Sequence, residues 1–133
     1  MILVDTSVWI DFFNGNDTPE VEVLDQALGK QEVAIGDLIT LEILQGFRSD
    51  SNYNTAKKYL GSLIQYNMLT PELALKAAEN YRKLRKKGIT IRKTTDVIIA
   101  TFCIEERHSL LFTDRDFVPF AKHLKLRSVY AKT

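Results

Sequence analysis

Four carboxylates stand where ordinary backbone needs do not explain all of them at once. Asp5 ends the apolar run Ile2-Leu3-Val4, which reads as a short buried strand. Glu42 lies in the segment from Asp37 to Gly46. At about 100° per residue it falls about 40° from Leu38, inside an apolar sector that also holds Ile39. Asp96 heads the apolar run Val97 to Ile104, and Asp114 closes the run that starts at Leu110. An acid at a helix start is stabilised by exposed amides and the helix dipole. That accounts for Asp116, two residues beyond Asp114, as the cap of a following helix, but not for the whole set. An unpaired buried carboxylate is costly, and open parallel sheets bind ligands beyond the carboxyl ends of their strands. The economical reading is that Asp5, Glu42, Asp96 and Asp114 converge at one end of a sheet.

Carboxylates gathered in this way repel one another and hold protons unless a cation is present. A hard divalent ion removes the repulsion. Oxygen donors without His or Cys favour Mg2+, with Mn2+ as a substitute. Such an ion acidifies a water aimed at a phosphodiester and offsets charge in the transition state. A carboxylate that does not ligate can take the proton; Glu42 and Asp114 both qualify. The formal net charge of +1 hides a matching asymmetry. Residues 1–50 hold ten acids and two bases, whereas residues 76–93 hold eight bases against Glu79. Within the basic segment Arg82, Arg85, Lys86, Lys87, Arg92 and Lys93 are candidate contacts to a nucleic-acid backbone. A solvated basic helix end is the plainer account of the same residues.

The elements that must position these groups are legible from periodicity and caps. Ser7 is expected to cap a helix with Val8, Trp9, Phe12 and Phe13 as its apolar positions, ending near Gly15. Pro19 opens a second helix that stops at Gly29. Val33-Ala34-Ile35 is a second strand, and Asp37 caps a helix reaching about Phe47. A helix is expected over residues 52–66, and a weakly signalled third strand at Met68-Leu69. Thr70-Pro71-Glu72 starts a helix that runs to Gly88. Thr95 or Asp96 starts the apolar helix, which must be central. A strand over 110–112, a short helix over 116–124 and an edge strand at Arg127-Ser128-Val129 complete the chain. Strands alternating with helices give an α/β sandwich around a mostly parallel sheet of roughly five strands.

Length and composition narrow the function classes. With 133 residues, 45% apolar and 26% charged, the chain is one globular domain spanning residues 1–133. Its single Cys103 forms no internal disulfide and reads as an inert core residue. His108 and His123 neighbour no acid motif and make a histidine metal site a poor expectation. No apolar run approaches the roughly 20 residues of a membrane span, and the first residues carry no basic leader, so a cytoplasmic location is expected. Trp9, Phe12 and Phe13 read as core or dimer surface. Packing is also the expectation for Tyr53, Tyr59 and Tyr66, with a partner-binding groove as their alternative.

The order Met-Ile-Leu-Val-Asp5-Thr-Ser, Glu42 in its apolar helix, Thr94-Thr-Asp96-Val-Ile-Ile-Ala100 and Leu110-Leu-Phe-Thr-Asp114-Arg-Asp-Phe117 resembles a PIN-domain ribonuclease. It is most similar to the VapC toxins of bacterial type II toxin–antitoxin pairs, over residues 1 to about 129. The resemblance implies a PIN-like α/β/α sandwich and a Mg2+-dependent endoribonuclease. It also implies a homodimer and a cognate VapB-like antitoxin that covers the active site. It makes Asp5, Asp96 and Asp114 the metal ligands, with Glu42 as the second acidic position. It gives Thr6, Ser7 and Thr113 supporting roles, and Asp116 stands beside them. Three readings compete. A haloacid dehalogenase-like phosphatase wants a second acid two residues after Asp5, where Ser7 stands. A receiver-like signalling module wants an Asp at the end of a mid-chain strand, and Glu42 is in a helix. A catalytically dead binding fold has no need of the full set of acids.

Overall fold

The computed structural model describes residues 1–129. Its strands are β1 (Ile2–Val4), β2 (Val33–Gly36), β3 (Ile64–Tyr66), β4 (Ser109–Leu111) and β5 (Arg127–Val129). Its helices are α1 (Thr6–Phe13), α2 (Pro19–Gly29), α3 (Asp37–Gln45), α4 (Asp50–Gly61), α5 (Pro71–Lys86), α6 (Thr94–Glu105) and α7 (Val118–His123). A 3-10 turn over Arg115–Phe117 precedes α7.

The five strands form one sheet in the order β3-β2-β1-β4-β5, and every pairing among them is parallel. The expected mostly parallel sheet is thus wholly parallel among the described residues. Leu3 lies beside Ala34 on one side and Leu110 on the other, so three apolar strands make the sheet's centre. The chain winds outward from β1 to β3, then crosses back over β1 to β4. With right-handed crossovers this reversal puts α1–α4 on one face and α5–α7 on the other. It also makes the β1–β4 boundary the topological switch point, where a crevice opens beyond the strands' carboxyl ends.

Local chemistry explains the boundaries. The Thr18 hydroxyl accepts from the Val21 amide and Pro19 occupies the first turn of α2. Thr70 and Pro71 repeat that device at the start of α5. The core joins both layers. Trp9, Ile35, Ile39, Leu60, Leu84, Ile99, Phe117 and Phe120 are fully buried, each large side chain stabilising the fold by about 1.5–3 kcal/mol. Along α6 every residue from Asp96 to Cys103 is buried, as its apolar composition demands. No helix among the described residues is long and apolar enough to cross a membrane.

Several boundaries differ from the sequence expectation. The third strand is Ile64–Tyr66, not Met68-Leu69. The helix before it is shorter than expected: Ser49 caps it at its start, and it ends at Gly61, where the Ser62 hydroxyl donates to the Tyr59 carbonyl. Met68 is instead a fully buried plug seated over Gly36, with its amide donating to Asp37 Oδ1 at 3.0 Å. Asp37 is therefore the first residue of α3 rather than its cap, and α3 ends at Gln45 rather than Phe47. Helix α1 starts at Thr6, with Asp5 rather than Ser7 at the cap position. Helix α6 starts at Thr94. The expected helix over 116–124 divides into the 3-10 turn and α7.

Candidate active site

Asp5 is the first residue beyond β1. Its amide donates to the Leu111 carbonyl at 2.9 Å, extending the β1–β4 ladder by one bond past the strand. That bond fixes Asp5 at the switch point, where the residue is 5% exposed. Its Oδ2 accepts from the Ser7 hydroxyl at 2.8 Å. Ser7 Oγ also lies 2.9 Å from Thr113 Oγ1. One hydroxyl pair therefore ties the residue after β1 to the segment after β4. Burial pushes the Asp5 carboxyl above the usual range and nearby Glu42 pushes the same way, while hydrogen bonds from Ser7 and from the Thr6 and Ser7 backbone hold it back.

Asp96 occupies the first turn of α6 but caps nothing. The cap position belongs to Lys93, and no side chain caps this helix. Asp96 is 4% exposed, and its Oδ2 is buried without a hydrogen-bond partner. Burial first, then the charges of Asp5 and Asp114 with a smaller contribution from Glu42, push its pKa up to about 7, while Lys93 opposes them. Asp96 therefore feels all three of the other acids singled out in the sequence. The fold brings Asp5, Glu42, Asp96 and Asp114 to one place.

Asp114 takes the capping role expected of Asp116 and stays in the acid cluster as well. Asp114 Oδ1 accepts from the Asp116 amide at 2.9 Å, so Asp114 caps the 3-10 turn. The Asp116 carboxylate is released from capping and joins the cluster. Asp96, Asp114 and Asp116 each present an oxygen within 4.8 Å of the others. The sequence pattern could not separate these two acids, because a tight turn and a regular helix start place their caps one register apart.

Glu42 reaches the site from α3, half-buried between Ile39 and Ile43 along the helix. Its Oε1 accepts from the Thr6 hydroxyl at 2.9 Å. Its Oε2 accepts from the Thr95 hydroxyl at 3.4 Å. Of these hydroxyls, Thr6, Ser7 and Thr113 stand among the expected supporting residues, whereas the sequence marks Thr95 only as a possible helix start. Its position beside Asp96, in a helix start that needs no side-chain cap, is the signal that points to it.

The basic segment divides in two. Arg92 reaches Asp116 Oδ2 at 3.4 Å, and Lys93 acts on Asp96. Arg82 lines a cleft of about 450 Å3 between α5 and α6 that includes Tyr81, Thr94 and Val97. Arg85 lies over the Tyr81 ring at 5.8 Å, and Lys86 and Lys87 close α5. Among the described residues no hydrogen bond or ion pair joins Arg82, Arg85, Lys86 or Lys87 to the acids.

Electrostatically the acid cluster concentrates negative charge at one place. An unpartnered buried carboxylate oxygen beside two more acids fits a hard divalent cation, and the absence of His and Cys donors in the cluster fits it too.

Residues 2–122 match the family described as PIN domain. Ribonuclease VapC11 of Mycobacterium tuberculosis is 28% identical over 130 residues, covering 96% of this chain and 97% of the relative. Among solved structures, VapBC2 from Rickettsia felis, bound to a DNA fragment from its promoter, superposes with a TM-score of 0.76. That match has 18% identity over 97% of this chain and 98% of the other. A toxin–antitoxin complex from Klebsiella pneumoniae gives a TM-score of 0.72 at 20% identity, over 98% of this chain and 97% of the other.

Proposed function

The chain belongs to the PIN-domain family, and from that premise we propose that it is a Mg2+-dependent endoribonuclease, the toxin of a type II toxin–antitoxin pair. The observation that carries the reading is the buried, unpartnered Asp96 Oδ2 within a trio of acids at the sheet's switch point. The relative named a ribonuclease and the neighbour described as a toxin–antitoxin complex support the same reading.

In this account Asp5, Asp96 and Asp114 hold the metal, with Asp116 beside them. When bound, a hard divalent cation offsets the negative charge that builds on a phosphodiester under attack and raises the acidity of water. The chain's own residues do the rest. Ser7 fixes the Asp5 carboxylate and, through Thr113, holds the two strand ends in register. Glu42, held by hydroxyls outside the tight trio, is placed to accept the proton of the attacking water. Arg92 and Lys93 at the rim, and Arg82, Arg85, Lys86 and Lys87 along the end of α5, hold the RNA backbone by charge. The cut leaves the phosphate on one fragment and a hydroxyl on the other.

A cognate VapB-like antitoxin neutralises the enzyme in this reading, and the enzyme works as a cytoplasmic homodimer. The haloacid dehalogenase-like alternative loses ground at Ser7, whose hydroxyl donates to Asp5 where a second acid would be required, and the receiver-like one at Glu42, which lies within α3. The test is cleavage of total RNA and of unstructured oligoribonucleotides with Mg2+. Cleavage by the wild type and its loss in Asp5→Asn and Asp96→Asn are expected. Undiminished cleavage in excess EDTA, or in either variant, overturns the reading.

A further inference from the structure

We propose that Thr95 is a positioning residue for Glu42. It works as the second jaw of a two-hydroxyl clamp whose first jaw is Thr6. The inference rests on the nuclease reading above and extends it to a residue with no assigned role.

The geometry argues for it in three steps. First, the two oxygens of one carboxylate are held by different elements. Thr6 in α1 donates to Oε1 and Thr95 in α6 donates to Oε2. The partners lie 36 and 53 residues from Glu42 in the chain, so no local turn or cap motif produces the arrangement. Second, Thr95 is free for this duty. It is the second residue of α6, past the cap position held by Lys93, so its hydroxyl has no capping role there and crosses to α3. Third, Glu42 needs holding. A glutamate has several rotatable bonds and considerable side-chain entropy to lose. Asp5, Asp96 and Asp114 are placed by short side chains at strand ends and a helix start, whereas Glu42 reaches in from the middle of α3. Two donors fix both its position and its plane, so that the carboxylate meets the water without reorganising. Thr95 also adjoins Asp96, so a single turn of α6 supplies one acid of the site and orients another.

The test is a double-mutant cycle on RNA cleavage, with a fluorogenic unstructured oligoribonucleotide and Mg2+. Thr95→Val keeps the shape and removes the hydroxyl. It is expected to lower kcat about 10-fold with KM little changed, the loss of one charge-assisted hydrogen bond. Thr95→Ser is expected to restore kcat to within about threefold. On a Glu42→Gln background Thr95→Val is expected to add little, because the group it positions is gone. A Thr95→Val loss as large on that background as in the wild type overturns the proposal. So does a loss that Ser does not rescue, or one accompanied by a matching fall in Tm.

A readout independent of cleavage separates this proposal from the nuclease reading. With Mg2+ present, the Glu42 side-chain 13Cδ resonance is expected to be single and narrow in the wild type and in Thr95→Ser, and shifted or exchange-broadened in Thr95→Val. An unchanged resonance in Thr95→Val overturns the clamp, even if the protein cuts RNA. A changed resonance supports it, even if the wild type cuts no RNA and the nuclease reading falls.

Discussion

Replacing Asp96 by Asn should stabilise the metal-free protein at alkaline pH, although it removes a residue central to function. Asp96 is buried beside Asp5, Asp114 and Glu42, and its pKa is pushed from 3.8 up to about 7. The folded state therefore keeps its proton between about pH 4 and pH 7 while the unfolded state releases it. More protons are bound folded than unfolded in that window, so stability falls as pH rises through it and levels off above about 7. The full displacement corresponds to about 4 kcal/mol, and solvent reaching the mouth of the cleft reduces the expected effect to about 2 kcal/mol. Asp5 is displaced in the same direction by its burial, so the two acids reinforce each other. Thermal unfolding in EDTA checks this. At about pH 8 Asp96→Asn should unfold about 6–10 °C above the wild type, and at about pH 4 the two should coincide. Mg2+ at 100 times its Kd should return about 2.7 kcal/mol to the wild type at pH 8, and little to the variant. A wild type whose metal-free stability is flat or rises from pH 5 to pH 8, with the Asn variant no more stable, would refute the reasoning.

Other expectations follow from separate features. Arg92→Gln removes the partner of Asp116 and one backbone-binding charge; RNA binding, measured by anisotropy against salt, should weaken and its salt slope fall by about 1. Reversing Arg82 and Arg85 to Glu should weaken binding across RNA sequences alike while leaving Mg2+-dependent thermal stabilisation unchanged. Gly36→Ala drives a Cβ into the fully buried Met68 thioether; chemical denaturation should show a loss of about 1–3 kcal/mol. Ser7→Ala should raise the Mg2+ concentration needed for half-maximal cleavage, because Asp5 loses the donor that orients it. An unchanged requirement would remove Ser7 from the site.

The convergence of the acids was legible because its causes are short-range. Asp5 and Asp114 follow apolar runs too short to be anything but strands, and a helix as apolar as Val97 to Ile104 has to be central, which carries Asp96 inward. Which of the two late acids caps was not legible. Asp114 and Asp116 differ only in where a 3-10 turn begins, and that depends on Phe117 finding its buried seat. The third strand was misplaced for a related reason. Met68 is more apolar than the exposed Ile64-Gln65-Tyr66 edge, yet Met68 is buried by tertiary contact with Gly36 and the edge pairs with β2 through its backbone. Periodicity reports which residues avoid water, not which backbone groups find a ladder. Thr95 escaped because its partner is distant in the chain, and hydroxyls carry no periodic signal. The basic segment was found by composition alone, and only the fold separates Arg92 and Lys93, beside the acids, from the residues along α5.

The central claim is that these side-chain oxygens cage one kind of ion at one place. Crystals grown without metal and soaked in Mn2+ test it through anomalous scattering. A strong peak is expected within bonding distance of Asp96, with oxygens of Asp5 and Asp114 around it, and it should vanish in Asp96→Asn. A wild-type map with no peak there, or with its only peaks on surface acids elsewhere, would contradict the account.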